Sequence, residues 1–229
     1  MSDESAPAIV CRGLSKTYGR GNTAVDAVRA ATFSARAGEF LAVVGPSGSG
    51  KTTLLAMLGG LLTPSAGEVA VGGRDLGSMP SSRLARFRRE HVGFVFQGYN
   101  LLPYLTARKN LLVMSSISRL DRRSAARRAD RLLDELGLSG RGRAYPAEMS
   151  GGERQRIAIG RALMNDPDLI LVDEPTANLD SVRGRQVVEM LVAEVRQRQK
   201  TALMVTHDMR MAGYASRRLS IDDGSIAEA

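Results

Sequence analysis

The stretch "EFLAVVGPSGSGKTTLLAML", residues 39–58, decides the fold. It opens with a short apolar run, passes through a Gly/Pro/Ser/Gly cluster, and ends in a helix-forming segment. The run is too short for a membrane span and reads as a buried parallel strand. Within it, Gly45–Thr52 fits the pattern G-x-x-x-x-G-K-[ST], in the strand-before, helix-after context that the pattern requires. The spacing has a physical reason. Gly45, Gly48 and Gly50 let backbone N–H groups curl round an anion, and Pro46, Ser47 and Ser49 complete the loop. The helix that follows adds its partial positive charge. Lys51 supplies a point charge for β- and γ-phosphates, Thr52 offers a hydroxyl to Mg²⁺, and Thr53 continues the turn.

Further strand signatures follow the same alternation with helices. "EVAVGGRDL" (68–76) reads as strand and turn, and "HVGFVFQ" (91–97), "DLILVDE" (168–174) and "TALMVTH" (201–207) as strands. Residues 181–198 place Val188, Leu191, Val192 and Val195 on one helical stripe. "DRRSAARRADRLLDELGL" (121–138) puts Ala125, Ala126, Ala129, Leu132, Leu133 and Leu136 at helical spacing and arginines on the other face, with Gly137 as a C-cap. Alternating strands and helices predict an α/β fold with a mainly parallel sheet. The Arg-rich section interrupts it. The chain is therefore read as one unit, with 1–97 and 163–229 forming the core and 98–162 an inserted helical subdomain. "RGRAYP" (141–146) is read as a hinge-like connection.

A Mg²⁺ site needs a carboxylate. Asp173 closes "LILVD" at the strand end where ligands of open α/β sheets sit. Glu174 follows, and a turn of the backbone there would aim it at water beside a γ-phosphate. The division is Asp173 for metal and Glu174 as the base. Gln97 ends a strand and can reach metal and water. His207 also stands at a strand end, whereas His91, beside "ARFRRE", is read as exposed. Tyr18 in "SKTYG" can stack on a base or simply pack.

"MSGGERQR" (149–156) raises a separate question. Ser150, Gly151 and Gly152 precede a helix and make a second anion-receptive N-terminus, yet the chain has one phosphate loop. Capping needs Ser150 but not both glycines. Either the chain binds a second anion, or this segment completes the site of another copy.

Taken in order, "GPSGSGKT", Gln97, "MSGGE", "LILVDE", "ANLD" and His207 resemble the ATPase subunit of ABC transporters over nearly the whole chain. The resemblance implies a P-loop NTPase core, an N-terminal antiparallel β subdomain, and a helical subdomain that carries the signature motif. It implies ATP and Mg²⁺, with Thr52, Gln97 and Asp173 at the metal and Glu174, His207 and Gln97 in catalysis. It implies a head-to-tail dimer in which Ser150, Gly151, Gly152 and Glu153 cap the partner's ATP. Tyr18 then stacks on adenine, and Asp180 lies at the dimer seam. A separate integral membrane permease-like subunit is implied, with the chain cytoplasmic and peripheral on the inner face of the cell membrane.

Longer matches, "SKTYGRGNTAVDAV", "FRREHVGFVFQGYNLLPYLTARKNL" and residues 145–180, resemble the macrolide-exporter and lipoprotein-release group. Many of its members transmit motion rather than pass cargo. A related cell-division ATPase regulates wall hydrolases, and that is the alternative role. Met149 and Glu153 stand where the broad family favours Leu and Gln. Lys109 stands where this group favours Glu, on the surface expected to face the membrane subunit.

The 229 residues carry 43% hydrophobic side chains, which suits a globular core and argues against disorder. No apolar run approaches the ~20 residues of a membrane helix. "MSDESAPAIV" lacks the apolar stretch of an export leader. The single Cys11 excludes an internal disulfide and reads as a small buried hydrophobe. Net charge is +8, and of 32 basic residues only Lys16, Lys51, Lys109 and Lys200 are lysines. With 4% aromatics there is no basic-aromatic stretch for stacking bases, so no nucleic-acid partner is expected. Nor does the chain show the long coiled-coil or zinc insertions of soluble ABC ATPases that act on ribosomes.

Overall fold

The structure, a computed structural model, describes residues 7–117 and 121–229. Residues 1–6, part of the segment on which the absence of an export leader is read, lie outside the described residues. Strands β1 (Ile9–Tyr18), β2 (Val25–Ala35), β4 (Ala66–Val71) and β5 (Arg74–Asp75) form a four-stranded antiparallel sheet in the order β2-β1-β4-β5. A second sheet has six strands in the order β10-β9-β3-β8-β7-β6. Its members are β3 (Phe40–Val44), β6 (Val92–Val95), β7 (Leu169–Asp173), β8 (Thr201–Thr206), β9 (Arg217–Asp222) and β10 (Ser225–Glu228). All its pairings are parallel except the β9–β10 hairpin.

Period-two alternation divides the core. On β3, Phe40, Ala42 and Val44 enter one apolar cluster, while Leu41 and Val43 enter the other. The Leu41 side holds α1 (Lys51–Leu58) and the antiparallel sheet, including buried Cys11. Burial pushes the Cys11 thiol up to about 12, as expected of an inert hydrophobe. The Phe40 side packs against α6 (Ser181–Gln197) and the short α7 (Met209–Ala212). It also packs against α3 (Ala107–Ile117), α4 (Arg122–Glu135) and α5 (Gly151–Leu163). Those three helices share this core rather than enclosing one of their own, because Leu111, Leu132 and Ile157 belong to the same cluster as Ile170 and Val172.

Local chemistry sets the helix ends. The Asp121 carboxylate caps α4 by accepting from the N–H groups of Arg123 and Ser124. At the other end Gly137 has φ +65°, and Leu138 N donates to Leu133 O at 2.7 Å, closing the helix as its sequence suggested. The 141–146 connection is fastened rather than hinge-like. Ala107 N donates to Ala144 O, Arg108 N donates to Gly142 O, and Arg141 reaches both Glu153 and the Glu148 carbonyl. His91 closes α2 (Ser81–His91), a helix unread in the sequence. It is half-buried rather than exposed, with Nδ1 2.7 Å from Asp168 Oδ2.

Strand β6 and helix α5 meet at Gly93, where an added Cβ would lie 2.5 Å from the Ala162 carbonyl oxygen. Gly93→Ala is therefore expected to cost about 1–3 kcal/mol, measured as a lower urea midpoint at unchanged slope. A midpoint equal to wild type would mean that strand and helix do not approach this closely.

Candidate functional site

The site is a product of register. β8 lies between β3 and β7, with Val44 opposite Thr206 and Val205 opposite Asp173. The residues that follow each strand, Gly45, Glu174 and His207, thus emerge together at one edge of the sheet, where open α/β sheets bind ligands.

After β3 the chain curls from Gly45 to Gly50 and enters α1. Two glycines are enforced by close approach. A Cβ at Gly45 would lie 2.1 Å from Ile221 O on β9, and one at Gly50 would lie 2.0 Å from Ala27 O on β2. Gly50 also has φ +100°, and Gly48, which meets no neighbour, has φ +83°. Pro46, Ser47 and Gly48 are exposed, whereas Ser49 is buried with its Oγ unpartnered among the described residues. Lys51 is buried, and its ammonium donates to the carbonyls of Gly45 at 2.8 Å and Pro46 at 2.7 Å. The charge is thereby held across the loop. Thr53 is half-buried in the first turn of α1.

Thr52 Oγ1 donates to the Asp173 carboxylate, 3.2 Å from Oδ2. Burial is the main cause that pushes the Asp173 carboxyl above its ordinary range, with the neighbouring Glu174 adding to it. A hydroxyl and one carboxylate converging beside a phosphate loop form the sparse oxygen set that Mg²⁺ accepts when substrate and water complete its shell.

Glu174 leaves the ladder with φ +45°, a strained conformation for a non-glycine residue. Its N–H still donates to Val205 O at 3.0 Å, so the side chain turns toward β8. Its Oε2 lies 2.9 Å from His207 Nδ1 and accepts from Thr206 Oγ1 at 3.3 Å. Its Oε1 is 3.9 Å from Lys51 Nζ. Glu174 is buried, while the His207 side chain is 58% exposed and so can meet a ligand.

The other residues of the sequence reading lie outside this cluster. Gln97 lies two residues beyond β6, is exposed, and its side chain makes no hydrogen bond among the described residues; only its carbonyl is used, by Asn178 Nδ2 at 2.9 Å. Tyr18 ends β1, exposed, with Lys16 Nζ 5.5 Å from its ring. Ser150 caps α5 in a reciprocal box: Glu153 N donates to Ser150 Oγ, and Ser150 N donates to Glu153 Oε2. Arg141 holds the other Glu153 oxygen at 2.8 Å. Gly151 lies against Leu179 and Tyr99, in the loops that follow Glu174 and β6. Asp180 caps α6 through the N–H groups of Val182 and Arg183, and the latter bond is the main cause that lowers its carboxyl. Sequence reasoning missed Thr206, Ala27 and the Ile221 carbonyl. The "DDG" at 222–224 was a signal for the hairpin that delivers Ile221.

A phosphate loop after β3 of a mainly parallel sheet, with an acid pair at the end of β7, one strand beyond β8, defines a P-loop nucleoside-triphosphatase. The sequence profile of the ABC transporter family matches residues 28–177, and the chain belongs to that family. It is accordingly an ATPase that takes ATP with Mg²⁺. It is 44% identical over 219 residues to HrtA of Staphylococcus haemolyticus, covering 96% of this chain and 99% of that one; the name of HrtA assigns hemin import only provisionally. It is 43% identical to the lipoprotein-releasing system ATP-binding protein LolD of Chromohalobacter salexigens, covering 95% of this chain and 92% of that one. Identity is also 43% to the macrolide export ATP-binding/permease protein MacB of Sodalis glossinidius, over 97% of this chain but 34% of that protein. Among solved structures, the dimeric ATP-binding cassette MJ0796 bound to ADP and Pi superposes with a TM-score of 0.86 at 33% identity, covering 96% and 98% of the two chains.

Asp173 supplies a test of the site's electrostatics. Its carboxyl is raised in the fold, so the charged form is disfavoured there relative to the unfolded chain. That penalty is present above the raised value and disappears as pH falls to the ordinary carboxylate range. Asp173→Asn is therefore expected to raise the melting temperature of the nucleotide-free protein at pH 7. The gain should shrink as the pH is lowered. A variant less stable than wild type at neutral pH would refute this balance.

Proposed function

We propose that two copies of this chain close head to tail around two MgATP and, on hydrolysis, drive a separate integral membrane permease-like subunit. The work is export, lipoprotein release or transmission of motion across the membrane. One observation carries the dimer. Inside the chain, a Cβ at Gly152 would touch nothing nearer than Arg156 Nη1 at 4.0 Å. Glycine costs a helix about 1 kcal/mol relative to alanine, so a glycine that its own fold does not require answers to something outside the chain. A partner's γ-phosphate at the capped N-terminus supplies that need. The MJ0796 cassette is itself dimeric with ADP and Pi bound, which supports the arrangement.

In this reading the loop from Gly45 to Thr53 cradles the phosphates, and Tyr18 stacks on adenine. Thr52 and Asp173 hold Mg²⁺, which neutralises charge on the phosphate oxygens. Gln97 joins that set from the loop after β6. His207 and Thr206 fix one oxygen of Glu174, leaving Oε1 to take a proton from the attacking water. Lys51, His207 and the partner copy's signature residues, Ser150 to Glu153, stabilise the charge that develops on the γ-phosphate. Asp180 lies at the seam. The membrane subunit is inferred from the likeness to LolD and to MacB, an ATP-binding/permease protein. Among the described residues no helix is long and apolar enough to cross a membrane.

Glu174→Gln is expected to keep ATP binding and lose at least ~100-fold in turnover. Near wild-type hydrolysis by the purified variant would remove Glu174 from its role. Ser150→Arg and Lys51→Ala subunits, joined covalently, should recover activity at the one intact composite site. An inactive mixed dimer, with both parents able to fold, would defeat the arrangement in trans.

A further inference from the structure

The exposed face of α4 carries Arg122, Arg123, Arg127 and Arg131. Most other arginines near this helix are matched. Arg108 binds Asp130, Arg128 binds Asp166, and Arg198 binds both Glu194 and Glu135. Among the described residues the four on the open face form no ion pair; Arg127 donates to Ser124 Oγ at 3.0 Å and lies in the field of Asp121. Arg123, Arg127 and Arg131 stand four residues apart, where like charges repel along a helix. The first turn has no acid and the last turn no base, so Arg122 and Arg123 also oppose the helix dipole. Among the described residues the acids beside this face that form no ion pair are Asp121, which caps the helix, and Asp134, one turn on from Arg131. The segment thus breaks two local rules of helix design, and among the described residues only the capping Asp121 carboxylate offsets that charge. Such conflicts mark surfaces made for something outside.

We propose that this arginine face rests on the anionic headgroups of a lipid bilayer. The inference rests on the reading that the chain works against a membrane subunit. Charge complementarity selects the occupant. The residues between the arginines, Ser124, Ala126 and Asp130, offer no aromatic or large apolar anchor of the kind that holds a protein interface. A headgroup layer needs none, because each basic residue near it adds its own increment of attraction. The exposed Lys109 follows Arg108, whose guanidinium donates to both Asp130 and the Ala126 carbonyl of α4, and extends the positive surface onto α3.

The test floats the purified full chain with vesicles of phosphatidylcholine containing about 30% phosphatidylglycerol, and with phosphatidylcholine alone. Wild type should float only with the anionic vesicles. It should be released as salt rises from about 0.1 to about 0.5 M. Replacing Arg122, Arg123, Arg127 and Arg131 together by Gln should weaken binding at least about tenfold, and replacing them by Lys should largely preserve it. ATP hydrolysis by both variants, unchanged from wild type, would show that they are folded. Equal binding to both vesicle types, no binding, or full binding by the Gln variant would overturn the proposal. So would loss of binding in the Lys variant, or displacement by inorganic phosphate at matched ionic strength; the first indicates a shaped protein-type site and the second a free-anion site. A wild-type chain that floats with anionic vesicles while Glu174→Gln hydrolyses ATP normally would spare this proposal and refute the catalytic one.

Discussion

The parallel register of β3, β8 and β7 is the constraint on which the rest of the molecule depends. Because Val44 pairs with Thr206 and Asp173 with Val205, the three strands end level. A slip of one residue would turn Phe40, Ala42 and Val44 from one apolar cluster into the other. The core therefore fixes the register, and the register fixes the distances at the edge. Lys51, Asp173, Glu174 and His207 come from elements far apart in sequence, yet none needs a long or mobile loop to reach the others. Strand spacing sets the separation of Asp173, Glu174 and His207, and the short 45–50 loop brings Lys51 to them.

That edge gathers two adjacent carboxyl groups and one buried ammonium, an arrangement that is poorly balanced without ligand. Burial raises Asp173, and Glu174 beside it raises it further, while Lys51 spends its hydrogen bonds on the carbonyls of Gly45 and Pro46. Glu174 is held by neighbours on β8 rather than by Lys51, whose Nζ stands 3.9 Å away. A divalent cation at Asp173 would relieve the repulsion, and phosphate oxygens would give Lys51 charged partners in place of carbonyls. The site is thus organised around groups that it does not itself contain, at the cost of positive φ at Glu174.

How much of this was legible in the sequence varies with the physics involved. "FLAVV", "LILVD" and "TALMVT" were readable as strands because burial on both faces makes them continuously apolar. The phosphate loop was readable because only glycine tolerates backbone atoms about 2 Å from a Cβ position, as at Gly45 and Gly50. β1, β2 and β9 were not placed from their own residues, since half-exposed strands interleave polar residues and lose contrast. Helix α2, with Phe87 its one buried residue among many arginines, carries too little apolar periodicity to be read. His91 shows the limit most clearly. Its partner Asp168 lies far along the chain, so this pairing follows from the β6–β7 register, while Phe87 one turn earlier in α2 packs its ring 5.5 Å away.

The placement of Gln97 is best understood through its neighbours. Its carbonyl accepts from Asn178, and Tyr99 OH reaches the Asn178 carbonyl at 3.5 Å. Arg161 of α5 donates to the carbonyls of Tyr99 and Asn100, both residues in positive φ, and Arg154 lies 5.4 Å over the Tyr99 ring. The Arg161 charge is buried and lowered by that burial, with carbonyls in place of an acid. Three segments are therefore pinned to one another: the loop after β6, the loop after Glu174, and the helix that begins at the signature. Any displacement of 175–180 must carry 97–100 and α5 with it or break these bonds. The exposed side chain of Gln97 thus sits on a loop tied both to the residues following Glu174 and to the helix that carries Ser150.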